Sequence, residues 1–274
     1  MNNLEARNND ANALVTKAEI DIQVSAANQY PRNIKNCLSE AEELVSMDEE
    51  TAQQCIYALP VGKDVIQGPS VRLAEIMVSA WGNLRVSCRI TEISDKHVVV
   101  TGACWDVQKG TIWEAPVRRT IQNKRGGPPN DFMINNTVNA ASSIAVRNAI
   151  FRTIPKSYVN RVYEIAKKAA IGDVKSIAIR RQKAFDYFGK MGITRDKILT
   201  YYALSDVDQI TTDHLTQMIG AINALKEGTV SVEQLFSLEI KGEKSNSAQL
   251  DNLNAKVFNK QIANAEEVEE GQYE

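Results

Sequence analysis

Hydrophobic positions along the chain fall into helical and strand periods that alternate clearly enough to divide it. Leu14, Ala18 and Ile22 recur at helical spacing, predicting an amphipathic helix over 14–30 that Pro31 closes. Residues 1–12 are polar, and disorder is expected there. A second helix over 33–47 carries Ile34, Cys37, Leu38, Ala41, Leu44 and Val45 on its apolar side. Asp48, followed by Glu49 and Glu50, reads as the cap of a short third helix running to Leu59. The segment 60–69, PVGKDVIQGP, is turn-rich with room for one short strand. Ser70 then caps VRLAEIMVSAW, and Gly82-Asn83 ends that helix.

The period then changes to two. Leu84, Val86, Cys88 and Ile90 alternate with Arg85, Ser87, Arg89 and Thr91, which predicts one buried and one basic face. A strand over 97–107 is apolar on both faces, as an interior strand is. A third over 111–122 sets Trp113, Ala115, Val117 and Ile121 against Glu114, Arg118 and Thr120, with Gln108-Lys109-Gly110 as the hairpin turn. Trp105 and Trp113 alternate with apolar neighbours and are expected in the core. After the loop NKRGGPPND comes 135–155, a helix with Ala141, Ala145 and Ala149 four apart. That small-residue stripe suits close packing, yet the same helix carries Arg147 and Arg152. A further helix covers 158–171. Helices over 180–190, 194–202 and 213–227, ending in VSVEQLF, then form a small helical module. Beyond Leu238 the chain turns polar, and its last ten residues hold five glutamates and no basic residue, so a disordered acidic tail is expected. The fold class is α+β: an antiparallel meander packed by helices, divided as an N-terminal helical segment 1–59, a core 60–172, a helical module 173–238 and the tail 239–274.

Charge sharpens this division. The net −2 conceals 4 basic and 10 acidic side chains over 1–59, 21 and 10 over 60–190, and 7 and 14 over 191–274. A block of net +11 between acidic ends is the outline of a polyanion-binding core; the alternative is a core whose arginines pair internally. No apolar run approaches the ~18 residues of a membrane span, and MNNLEARNND is no signal peptide, so a cytoplasmic protein is expected. Cys37, Cys55, Cys88 and Cys104 are scattered and His97 and His214 distant, which argues against zinc and for buried free thiols. Nothing matches a nucleophile elbow or a P-loop, because Gly62-Lys63-Asp64 lacks the earlier glycine and the hydroxyl residue after lysine. Core carboxylates are single and dispersed, unlike the converging acids of a metal nuclease. The chain therefore reads as a binding protein without a cofactor, and its sparse aromatics favour backbone contacts over base reading.

GPSVRLAEIMVSAWGN, the meander, a basic loop and NAASSIAVRNAIFRTIP together resemble the phage single-strand annealing recombinases, the superfamily of Redβ, RecT, Erf and the eukaryotic recombination-mediator annealing protein. The resemblance spans roughly residues 55–170 and rests on Gly68-Pro69-Ser70-Val71-Arg72, Trp81-Gly82-Asn83, Arg147-Asn148 and Arg152. It implies rings or filaments that hold single-stranded DNA in a basic groove and pair it with a complement without ATP. Arg72, Arg147 and Arg152 match the groove positions. The module 173–238 would dock a phage exonuclease or the host single-stranded-DNA-binding protein, in the bacterial cytoplasm. Arg85, Arg89, Arg118, Arg119, Lys124, Arg125, Lys156 and Arg161 complete the candidate DNA-binding set. Arg72 has Glu75 or Glu114 as alternative partners. Arg147 and Arg152 stand about 140° apart on an ideal helix, so one groove would not use both equally.

Overall fold

The computed structural model describes residues 3–61, 64–121, 129–172 and 174–236. Three helices lead in: α1 (Asn3–Gln29), α2 (Ile34–Ser46) and α3 (Glu49–Gln54). Asn33 accepts from the Asn36 N–H and Asp48 from the Thr51 N–H, so each cap satisfies a backbone donor that helix geometry leaves orphaned. The disorder expected over 1–12 is overturned from Asn3 onward, because no proline or glycine interrupts the helix there. The stripe expected to pack is also exposed, with Leu14 and Ile22 both at 69 %; Ala27 near the helix end is the buried contact.

Helix α3 stops at Gln54, where the sequence predicts it to run on to Leu59, and β1 (Ile56–Val61) pairs with β2 (Asp64–Pro69) in an antiparallel hairpin, where 60–69 left room for one strand. Pro60 and Pro69 read as breakers, but a two-stranded ribbon has two edges, and an edge tolerates a missing N–H. At Ser70 the hydroxyl donates to the Gln54 carbonyl at 2.6 Å and accepts from the first turn of α4 (Val71–Trp81). Gly82 (φ 62°) and Asn83 (φ 52°) then turn the chain through left-handed conformations.

The sheet β3 (Leu84–Ile93), β4 (His97–Asp106), β5 (Thr111–Thr120) is antiparallel with β4 in the middle. Its register aligns Cys88, Gly102 and Ala115 on one rung. The long helix α5 (Asp131–Thr153) lies across that face, starting at the Asn130 cap. Ala141, Ala145 and Ala149 are all fully buried, so the alanine stripe packs. A Cβ on Gly102 would stand 2.4 Å from the Ala145 backbone carbonyl, and only glycine fits.

Because α5 covers β4 and β5, the distal half of β3 protrudes. Cys88, Ile90 and Ile93 face the helix side yet are exposed, correcting the buried face and the buried thiol expected there. The tryptophans also depart from expectation. Trp113 is 51 % exposed, and Trp105 points to the opposite face and is half-buried.

Helix α6 (Lys156–Ile171) closes a core with α2 and α4 around Leu73, Met77, Ile150, Ile154 and Val162. Helices α7 (Val174–Lys190), α8 (Arg195–Tyr201), α9 (Thr212–Lys226) and α10 (Val232–Phe236) enclose a second core of Phe188, Ile198, Leu215 and Met218, into which β1 inserts Tyr57. Here α9 lies directly on the hairpin: a Cβ on Gly220 would meet the Ala58 backbone nitrogen at 2.4 Å. Asn223 donates to the Gln53 and Ile56 carbonyls, both at 2.7 Å. Among the described residues no helix is long and apolar enough to cross a membrane.

One buried ion pair ties the first helices to the sheet. Arg32 Nη1 donates to Asp106 Oδ2 at 2.8 Å and Nη2 to Oδ1 at 3.2 Å, with side chains only 3 % and 4 % exposed. Its Nε and Nη2 also donate to the Trp81 and Gly82 carbonyls, at 2.7 and 2.8 Å. The Trp81-Gly82-Asn83 corner thus wraps a guanidinium.

Candidate nucleic-acid interface

Pairing register decides which strand arginines share a face. Arg85 stands beside Trp105 and Ile112, Arg89 beside Thr101 and Pro116, and Arg118 beside Val99 and Glu92, all on the face away from α5. Each is engaged. Arg85 meets Glu19 at 3.2 Å and Gln23 at 2.9 Å on α1. Arg89 meets Glu114 at 2.5 Å, and Arg118 donates to His97 Nδ1 at 3.2 Å while His97 Nε2 faces Glu92. Exposed ion pairs such as Arg85–Glu19 and Arg89–Glu114 contribute about 0–1 kcal/mol, so a phosphate can displace those carboxylates at small cost.

Arg119 goes the other way. It has the parity of Ala115 and Val117, on the α5 side, where it is half-buried and donates to the Thr229 carbonyl at 2.9 Å. Burial pulls its pKa below the usual arginine value, with nearby Tyr57 opposing.

The two arginines of α5 separate as their helical angle requires. Arg152 donates to the Glu114 carbonyl at 2.9 Å, the β5 residue whose carboxylate Arg89 reaches from β3. Arg147 places its guanidinium 4.8 Å from the Tyr57 ring centre, on the hairpin side. Arg72 pairs with Glu75 at 2.7 Å. Arg72 and Arg147 also both act on half-buried Glu227, at the end of α9. Burial raises the Glu227 pKa, Arg147 and Arg72 lower it, and Glu75 raises it. The start of α4, the middle of α5 and the end of α9 therefore converge on one charged cluster.

Lys156 is exposed at the start of α6, and Arg161 pairs with Glu42 of α2 at 2.6 Å, away from these groups. Lys124 and Arg125 lie outside the described residues, as does the acidic tail. Among the described residues the candidate set divides into an outward sheet face with Arg152 at its edge, the Arg72–Arg147 cluster, and Arg119 by itself. It does not form one continuous row. Tyr57 and Glu227 were not singled out from the sequence. Tyr57 carried no local signal, but an acid at a helix C-terminus has the wrong sign for the helix dipole, which points to a cation nearby.

No protein-family model matches this chain, and no curated protein or solved structure matches it either.

Proposed function

We propose that the chain binds single-stranded DNA through its phosphates and anneals complementary strands without ATP, as a homo-oligomeric ring or filament serving phage-type recombination. The observation that carries this reading is the charge distribution, net +11 over residues 60–190 between two acidic ends. The exposed arginines Arg72, Arg89 and Arg152 add support, since their partners belong to exposed residues and a phosphodiester can replace them. So does the likeness of Gly68–Arg72, Trp81–Asn83 and Arg147–Arg152 to the annealing recombinases. Self-association is supported by apolar side chains left in solvent on α1 (Leu14, Val15, Ile22) and along the sheet (Ile90, Ile93, Ile112, Trp113). In this reading the strand is held by its backbone, and a second strand is tested by base pairing with the first. The helices of 173–238 would carry the docking of an exonuclease or a host single-stranded-DNA-binding protein, in the bacterial cytoplasm.

The test mixes two complementary oligonucleotides with and without the protein, and follows duplex formation and particle size. Acceleration of pairing by an oligomer is expected. Binding without acceleration would leave a passive single-strand binder, and monomers with and without DNA would remove the ring or filament. A second reading, an assembly protein whose basic face meets a protein, is favoured by the carboxylates that Arg85 and Arg161 already hold on other helices. Salt separates the two, since phosphate binding must weaken steeply as salt rises.

A further inference from the structure

The end of β5, the first turns of α5 and the turn from α9 to α10 enclose a cleft of about 300 Å³. Three features of its walls point the same way. The first is Arg119. Its guanidinium is half-buried, donates to the Thr229 carbonyl, and has no carboxylate partner among the described residues. A cation drawn part-way out of water without a counter-ion is unfavourable, and an arriving anion relieves it. The second is Phe132, whose ring is 71 % exposed beside the cleft. The third is a pair of amides. Asn136, one turn along α5 from Phe132, is exposed, and its side-chain amide has no hydrogen-bond partner among the described residues. Gln234 uses its Oε1 to accept from the Ser231 N–H at 2.9 Å, leaving its NH₂ group.

An anion-seeking guanidinium, a flat aromatic face and two amides fit one chemistry, an anionic group carrying a planar heteroaromatic ring. We propose that this cleft holds one nucleotide unit of a bound single strand, with the phosphate at Arg119, the base against Phe132, and the base edge at Asn136 and Gln234. An amide donates and accepts, so the cleft would tolerate any base. Stacking is equally indifferent to sequence, because every base has a π-face. One captured nucleotide anchors the strand while its neighbours stay free to pair. This inference rests on the DNA-binding reading above and assigns a site within it.

The experiment compares wild type, Phe132→Ala and Phe132→Trp on a single-stranded oligonucleotide, a base-free phosphodiester oligomer of equal length, and deoxynucleoside monophosphates. Phe132→Ala should weaken the normal oligonucleotide about tenfold and leave the base-free oligomer unchanged. Phe132→Trp should retain affinity, and its added fluorescence should be quenched by the normal oligonucleotide and not by the base-free one. Equal affinity of Phe132→Ala and wild type for the normal oligonucleotide overturns the cleft assignment while the DNA-binding reading stands. Wild type binding neither oligomer overturns both. Monophosphates binding as tightly as the oligonucleotide would make this a free-nucleotide site and overturn the strand assignment.

Discussion

Replacing Asp106 by alanine tests the reasoning about the Arg32 clip most directly. The carboxylate accepts two hydrogen bonds from the guanidinium, at 2.8 and 3.2 Å, and two from the Gln108 and Lys109 N–H groups, at 3.2 and 3.1 Å. The turn N–H groups can find water once the side chain is gone. The guanidinium cannot, since its side chain is 3 % exposed and pinned by the Trp81 and Gly82 carbonyls and by the Trp81 ring, 4.9 Å away. Stranding a buried charge costs about 3–5 kcal/mol. A folded unit of this size moves by about 2–4 °C per kcal/mol, so the thermal midpoint should fall by roughly 10 °C. Urea unfolding with an unchanged m-value gives the free energy directly. Arg32→Lys separates geometry from charge, because one ammonium cannot span Asp106 and two carbonyls, and most of the loss should remain. An Asp106→Ala protein within about 1 kcal/mol of wild type, or an Arg32→Lys protein of full stability, would refute the account of this clip.

Four further predictions are more local. Gly102→Ala should cost about 1–3 kcal/mol in urea unfolding, because its Cβ would meet backbone and no flexible side chain can yield. Arg152→Ala should weaken oligonucleotide binding with little change in thermal midpoint, since its described bond is to one carbonyl at the sheet edge; wild-type affinity would remove it from the interface. Glu227 has a raised pKa, so the folded state holds its proton more tightly than the unfolded state. Its contribution therefore falls as pH rises from the ordinary 4.5 through the raised value, and is level above that. Glu227→Gln should abolish that fall in a series of urea midpoints, and identical pH profiles would count against the cluster. A maleimide should label Cys88 rapidly and Cys37, Cys55 and Cys104 slowly, with the buried Cys55 thiol pushed up to about 12; Cys88→Ser should lose the fast phase.

Features with a local cause were legible in the sequence. Asp48 and Ser70 announced their helices because a cap is a matter of three or four consecutive residues. The meander showed through alternation, and the alanine spacing of α5 showed close packing before its partner Gly102 was known. What depends on coverage was not legible. Cys88 and Ile90 have the parity of a buried face, and only the position of α5 over β4 and β5 leaves them in solvent. Trp113 failed for the same reason. The hairpin β1–β2 was hidden by prolines that an edge tolerates. For the candidate site, sequence supplied the arginines but not their grouping. Arg147 and Arg152 were separable by helical angle, whereas the meeting of Arg72, Arg147 and Glu227 joins α4, α5 and α9 through tertiary structure alone.

The contact of α9 with the hairpin also constrains the order of events during synthesis. Ile56 receives its hydrogen bond from Asn223, 167 positions later in the chain. At about 5–20 residues per second, β1 leaves the ribosome roughly ten to thirty seconds before its cover exists. Through that interval Tyr57 and Ala58 have no α9 to lie against, and the two carbonyls later bound by Asn223 must stay solvated. A nascent chain halted before Asn223 should therefore be most open to proteolysis at residues 53–61, and protection there should arrive abruptly once α9 has emerged.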